Sequence, residues 1–136
     1  METAATIASI SPIQLASIIS QKPATQIVDV RSPEEFSAGH IVGARSIPLD
    51  RIEGADAYEV LCAAGVTPDR PLYLACHAGL RARRAAEHLR AQGIAEVFLI
   101  EGGTQAWQAG GLPTCRSEHP DGQDRHSPAS AMRACG

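Results

Sequence analysis

The stretch Leu72-Tyr73-Leu74-Ala75-Cys76-His77-Ala78-Gly79-Leu80-Arg81 decides the fold. Its apolar run has the length of one buried strand and ends at a cysteine. A short loop with one glycine follows. A helical pattern then opens at Leu80, with Ala85, Ala86 and Leu89 as its apolar stripe and Gly93 as its stop. A thiol between a strand and a helix faces the unbonded N–H groups of the first helical turn and the positive end of the helix dipole. Both favour the thiolate, which is the reactive form. Gly79 lets the loop curl so that successive N–H groups converge on an anion. Arg81, with Arg83 and Arg84 behind it, occupies a first turn where the dipole prefers acids. Cations there point to a compensating anion. Taken alone, Cys76 would pass for an inert buried thiol. At these offsets from Gly79 and Arg81 it reads as a nucleophile, with His77, Ala78, Gly79, Leu80 and Arg81 as the substrate contacts. His77 is either a base or a loop residue of local specificity, since adjacent side chains on extended backbone point apart. Arg83 and Arg84 are divided between that pocket and plain solvation.

Working outward, helical and strand patterns alternate. Ile7–Ile10 reads as a short strand, and Ser11-Pro12 as an N-cap followed by a first helical proline, with Leu15, Ile18 and Ile19 on one face. Gln26–Val30 is a strand rich in β-branched residues. Ser32-Pro33 repeats the helix-start signal, and Gly39 ends that short helix. Ala44–Pro48 fits an edge strand, because proline cannot sit in a central one. Asp50–Gly65 is weakly helical, Val97–Ile100 is a further strand, and Thr104–Ala109 is a last short helix containing Trp107. Strands and helices in alternation imply an α/β fold with a central, mostly parallel sheet and helices on both faces. Ligands of such sheets sit outside the carboxyl ends of strands, which is where Cys76 falls.

Length and composition set the remaining bounds. A chain of 136 residues suits one domain with a core. The net charge of −3 gives no general attraction to nucleic acid or to an anionic membrane. No apolar run approaches the roughly 20 residues of a membrane helix, and the start lacks the basic residues of a secretory signal. The cytoplasm is the expected compartment. Cys62, Cys76, Cys115 and Cys135 match no zinc spacing and are expected as reduced thiols, with Cys62 in the core. Neither a metal nor another cofactor is expected. Past Pro113 the chain turns polar, with no Leu, Ile, Val or Phe from Cys115 to Pro128. The domain is therefore placed at residues 1–113 and a flexible tail at 114–136.

Cys76-His77-Ala78-Gly79-Leu80-Arg81 resembles the Cys-x-x-Gly-x-Arg active loop of the single-domain rhodaneses. Asp29–Phe36, Gly39–Leu49 and Glu101–Pro113 are similar to three further blocks of that family, in its order and spacing. The resemblance covers Ile7–Pro113 and implies a rhodanese-like fold and a sulfurtransferase. It implies that Cys76 takes the sulfane sulfur of an anionic donor such as thiosulfate as a persulfide. A thiophilic acceptor (a small molecule, a thiol or a protein) then removes it. Arg81 would steady the donor or close the loop from its rim. Asp29 and Arg31 would support the site as a buried pair or a polar link to the loop, and His40, Glu101 and Trp107 would be architectural. The rivals are a cysteine phosphatase or arsenate reductase of the same fold, whose loop carries one more residue, and a sulfur-carrier or partner-binding module. Four residues separate Cys76 from Arg81 here, a cradle sized for one sulfur atom rather than a tetrahedral oxyanion.

Overall fold

The computed structural model describes residues 7–54, 56–76, 80–94 and 96–116. The chain opens with strand β1 (Ala8–Ile10), helix α1 (Pro12–Gln21), strand β2 (Gln26–Asp29) and helix α2 (Pro33–Ala38). The short strands β3 (His40–Ile41) and β4 (Arg45–Ser46) follow, then helices α3 (Leu49–Ile52) and α4 (Ala57–Ala63). Strand β5 (Leu72–Ala75), helix α5 (Leu80–Ala91), strand β6 (Val97–Ile100), helix α6 (Gly103–Ala109) and strand β7 (Thr114–Cys115) complete the order.

Both Ser-Pro signals start helices as expected. Ser11 and Ser32 accept hydrogen bonds from the backbone N–H of Gln14 and Glu35, whose own side chains bond back to the serine N–H groups. Each is a complete capping box with proline at the first helical position. The weakly helical stretch from Asp50 splits into two helices rather than one.

Five strands form one parallel sheet in the order β1-β6-β5-β2-β4. The edge strand anticipated at Ala44–Pro48 is β4. Outside this sheet, β3 and β7 pair antiparallel, His40 opposite Cys115 and Ile41 opposite Thr114. That pairing carries ordered chain past the boundary expected at Pro113. Cys115 is buried within it, where the sequence suggested a reduced thiol in a flexible tail. Residues 117–136, with Cys135, lie outside the described residues.

The period-two alternation of strands sorts the core into two layers. Val28, Leu72, Leu74 and Cys76 share one face with Leu61 of α4 and Ala82, Ala85, Ala86 and Leu89 of α5. Ile27, Tyr73 and Ala75 share the other with Leu15 of α1 and Trp107 of α6. Helices thus cover both faces, and full burial of a side chain such as Leu15 or Leu89 stabilises by about 1.5–3 kcal/mol. Cys62 departs from expectation: it is exposed, while its neighbour Leu61 takes the core position of α4.

Candidate functional site

The strand order locates a crevice. From β2 the chain moves outward to β4, and from β5 it moves the opposite way to β6. Connections that leave neighbouring strands in opposite directions open a gap beyond their carboxyl ends, the usual ligand position in open α/β sheets. The two strands are in register there, Asp29 opposite Ala75, and the Val30 N–H donates to the Ala75 carbonyl at 2.9 Å. Asp29 and Arg31 stand at one lip of the gap and Cys76 at the other.

Cys76 follows directly on β5, and by strand alternation its side chain turns toward the α5 layer, packed with Leu74 and Ala82. It is buried, with 1% of its surface accessible. Its carbonyl accepts a hydrogen bond of 2.7 Å from the Thr104 N–H of α6, tying the strand end to the next helix. The Thr104 hydroxyl is buried and has no hydrogen-bond partner among the described residues. Gly102 caps the start of α6 in the left-handed region at φ +71°, and a Cβ there would fall 2.5 Å from that of Ala106, so this helix start requires glycine.

Asp29 and Arg31 form a buried ion pair, one of the two arrangements anticipated for them. The Arg31 Nε lies 2.9 and 3.1 Å from the two Asp29 carboxylate oxygens, and Nη2 lies 2.8 Å from Oδ2. Nη2 also donates to the Gly39 carbonyl at 2.7 Å, so the pair clamps the end of α2. His40 donates from Nδ1 to the Phe36 carbonyl at 2.7 Å and stacks on the Phe36 ring at 3.7 Å. Burial holds its pKa below the ordinary histidine value. Trp107 is buried and donates to the Pro113 carbonyl at 2.7 Å. Glu101 is exposed and accepts from the Ser9 hydroxyl at 3.2 Å.

Arg81 comes from the first turn of α5, which Leu80 opens. Its guanidinium fork meets the Glu35 carboxylate in two parallel hydrogen bonds of 2.8 and 3.0 Å. The bonds to Arg81 outweigh partial burial and hold Glu35 at about 2, well below the usual carboxylate range. The same bonds raise Arg81 above its ordinary value, and Cys76 and Asp29 lie near enough to raise it further. The sequence did not single out Glu35. Its signal was the capping box, because Glu35 Oε1 accepts from both the Ser32 N–H and Arg81. Thr104 carried no sequence signal at all. Of the two outer arginines, Arg84 pairs with Glu53 at 2.7 Å and Arg83 is exposed. His77, Ala78 and Gly79 lie outside the described residues.

The arrangement is a buried thiol at a strand end, beneath the start of a twelve-residue helix, with a partly exposed guanidinium at the rim. Two of the five guanidinium N–H groups are engaged by Glu35. Such a site favours an anionic reactant that meets the sulfur and the arginine together.

Residues 11–110 match the family model described as the rhodanese-like domain. The uncharacterized protein YqhL of Bacillus subtilis is 39% identical over 82 residues, which span 60% of this chain and 60% of YqhL. The thiosulfate sulfurtransferase GlpE of Pseudomonas putida strain GB-1 is 35% identical over 100 residues, covering 74% of this chain and 84% of that protein. Among solved structures, the rhodanese-like domain of Anabaena Alr3790 superposes with a TM-score of 0.70 at 26% identity, covering 90% of this chain and 91% of that one.

Proposed function

Given that the chain belongs to the rhodanese-like domain family, we propose that it is a sulfurtransferase that carries sulfane sulfur on Cys76. The observation that supports this most directly is the placement of Cys76 at the sheet's crevice, four residues before Arg81. The Cys76 thiolate attacks the outer sulfur of thiosulfate. The sulfur–sulfur bond of the donor breaks, sulfite leaves with the electron pair, and an anionic persulfide remains on the protein. An acceptor nucleophile then attacks the outer sulfur and returns the thiolate. Splitting the transfer into two displacements is the usual gain from a covalent intermediate. Backbone N–H groups at the start of α5 favour the negative charge that moves to the outer sulfur.

The N–H groups that Arg81 does not give to Glu35 face an incoming anion, and the Asp29–Arg31 pair holds the β2 lip of the crevice. His77, Ala78, Gly79 and Leu80 supply the loop contacts of this reading. Donor and acceptor are small molecules or thiols, with a protein acceptor equally served by the chemistry. A reducing compartment such as the cytoplasm suits a protein that works as a thiolate. No helix among the described residues is long and apolar enough to cross a membrane.

The test is an intact-mass measurement after incubation with thiosulfate. Wild-type protein gains the mass of one sulfur atom, and Cys76→Ser does not. A parallel assay with a phosphate ester separates the phosphatase reading. Persistence of the adduct in Cys76→Ser, or ester hydrolysis without any adduct, would overturn the mechanism.

A further inference from the structure

A cavity of about 460 Å³ lies at the end of the sheet opposite Cys76. Gln26, which opens β2, borders it, whereas Asp29 and Cys76 lie at the carboxyl ends. At the rise of an extended chain, this puts the cavity about 13 Å from the thiol along β5. Arg45, Arg70, Thr25 and Thr67 are among its lining residues, and no acidic residue lines it. Arg31, Arg81 and Arg84 each pair with a carboxylate. Arg45 and Arg70 have no such partner among the described residues. An adjoining cavity shares Thr25 and Arg70 and adds Lys22, the single lysine of the chain. Three cations therefore meet at one end of a protein whose net charge is −3.

The arginines are seated. Gln26 is nearly buried, accepts from the Thr67 N–H and donates to the Thr67 and Pro71 carbonyls, fixing the turn that presents Arg70. The Arg45 guanidinium lies against Gly65. A Cβ at Gly65 would stand 3.2 Å from Arg45 Nη1, and its φ of +86° disfavours any other residue. No carboxylate among the described residues competes for either guanidinium, so both are available to an anion in the cavity. The planar fork of arginine matches phosphate and carboxylate oxygens, and the volume falls in the range of small-ligand pockets.

We propose that this cavity is a second binding site, separate from Cys76, for a small polyanion whose acidic groups are phosphates or carboxylates. Isothermal titration with pyrophosphate and with citrate tests it, and the tighter of the two assigns the acidic group. Saturable binding of one probe to wild type, retained in Cys76→Ser and weakened tenfold or more in the Arg45→Gln/Arg70→Gln double variant, is the expected result. Both arginines are exposed, so their loss leaves the core intact. If the double variant melts early, Arg70→Gln alone carries the test, with at least threefold weakening expected. The proposal is overturned if neither probe saturates, if the arginine variants bind as wild type does, or if Arg81→Gln abolishes binding, which would place the anion at the Cys76 loop.

Discussion

The pair of Glu35 and Arg81 joins two helices that lie 46 positions apart in sequence, and it invites a quantitative test. Glu35→Gln removes the charge but keeps a side chain that can complete the capping box with Ser32, so it isolates the ion pair from the cap. Holding a carboxylate at about 2 rather than 4.5 corresponds at face value to about 3 kcal/mol. Both side chains are more than a third exposed, at 38% and 37%, and solvent screens them. The two-pronged geometry supports a value at the top of the surface range, about 1 kcal/mol. The sign follows from the depressed folded-state pKa. The stabilisation is complete above the unfolded-state value of 4.5 and is lost as pH falls toward 2. Urea denaturation followed by circular dichroism should therefore place Glu35→Gln about 1 kcal/mol below wild type at neutral pH. That gap should narrow from pH 4.5 downward. A double-mutant cycle with Arg81→Gln should return a coupling of about 1 kcal/mol. Zero coupling, or a gap that does not change between neutral pH and about pH 3, would refute the reasoning. In the same variants, Arg81→Gln should lower kcat/KM for thiosulfate by about tenfold or more, exceeding its stability cost. Equal losses would make Arg81 purely structural.

Asp29→Asn strands the Arg31 cation in a buried place. It should cost about 3–5 kcal/mol in urea denaturation, and a cost below 1 kcal/mol would mean that water reaches the pair. Thr104→Val replaces a buried hydroxyl that has no partner among the described residues, so stability should hold or rise by about 1 kcal/mol. A fall in the denaturation midpoint would reveal a partner for that hydroxyl. Truncation after Arg116 should leave the melting temperature unchanged. Truncation after Pro113 removes β7 with its buried Cys115 and should lower it by several degrees; equal melting curves would show that the β3–β7 pairing contributes nothing.

Local chemistry made much of the fold legible. The two Ser-Pro starts, the β-branched run of β2 and the apolar stripe of α5 each report on a few neighbouring residues. Their signals survive folding because the tertiary structure agrees with them. What escaped is non-local. β7 has only two residues, and its pairing with β3 depends on a partner more than seventy positions away. The exposure of Cys62 was misjudged because a weak helical pattern does not fix which residue faces inward, and Leu61 took that place. At the site, Cys76 was found from its position after a strand and the Asp29–Arg31 pair through the family resemblance. The engagement of Arg81 by Glu35 was hidden because the two residues lie 46 positions apart. The Arg45–Arg70 cavity joins β4 to the turn before β5, a proximity set only by the strand order.

That strand order also governs the sequence of events in folding. Every neighbour in the five-stranded sheet is reached through a crossover, and among the described strands β1 pairs with β6 alone, Ala8 opposite Phe98. The first strand of this sheet to be synthesised must wait for almost the whole domain before its edge can be satisfied. Nucleation accordingly falls to β2, β5 and α5, whose pairings close shorter loops. β1 joins as the last strand, so the amino-terminal end should be the first part of the sheet to open and exchange its amide hydrogens.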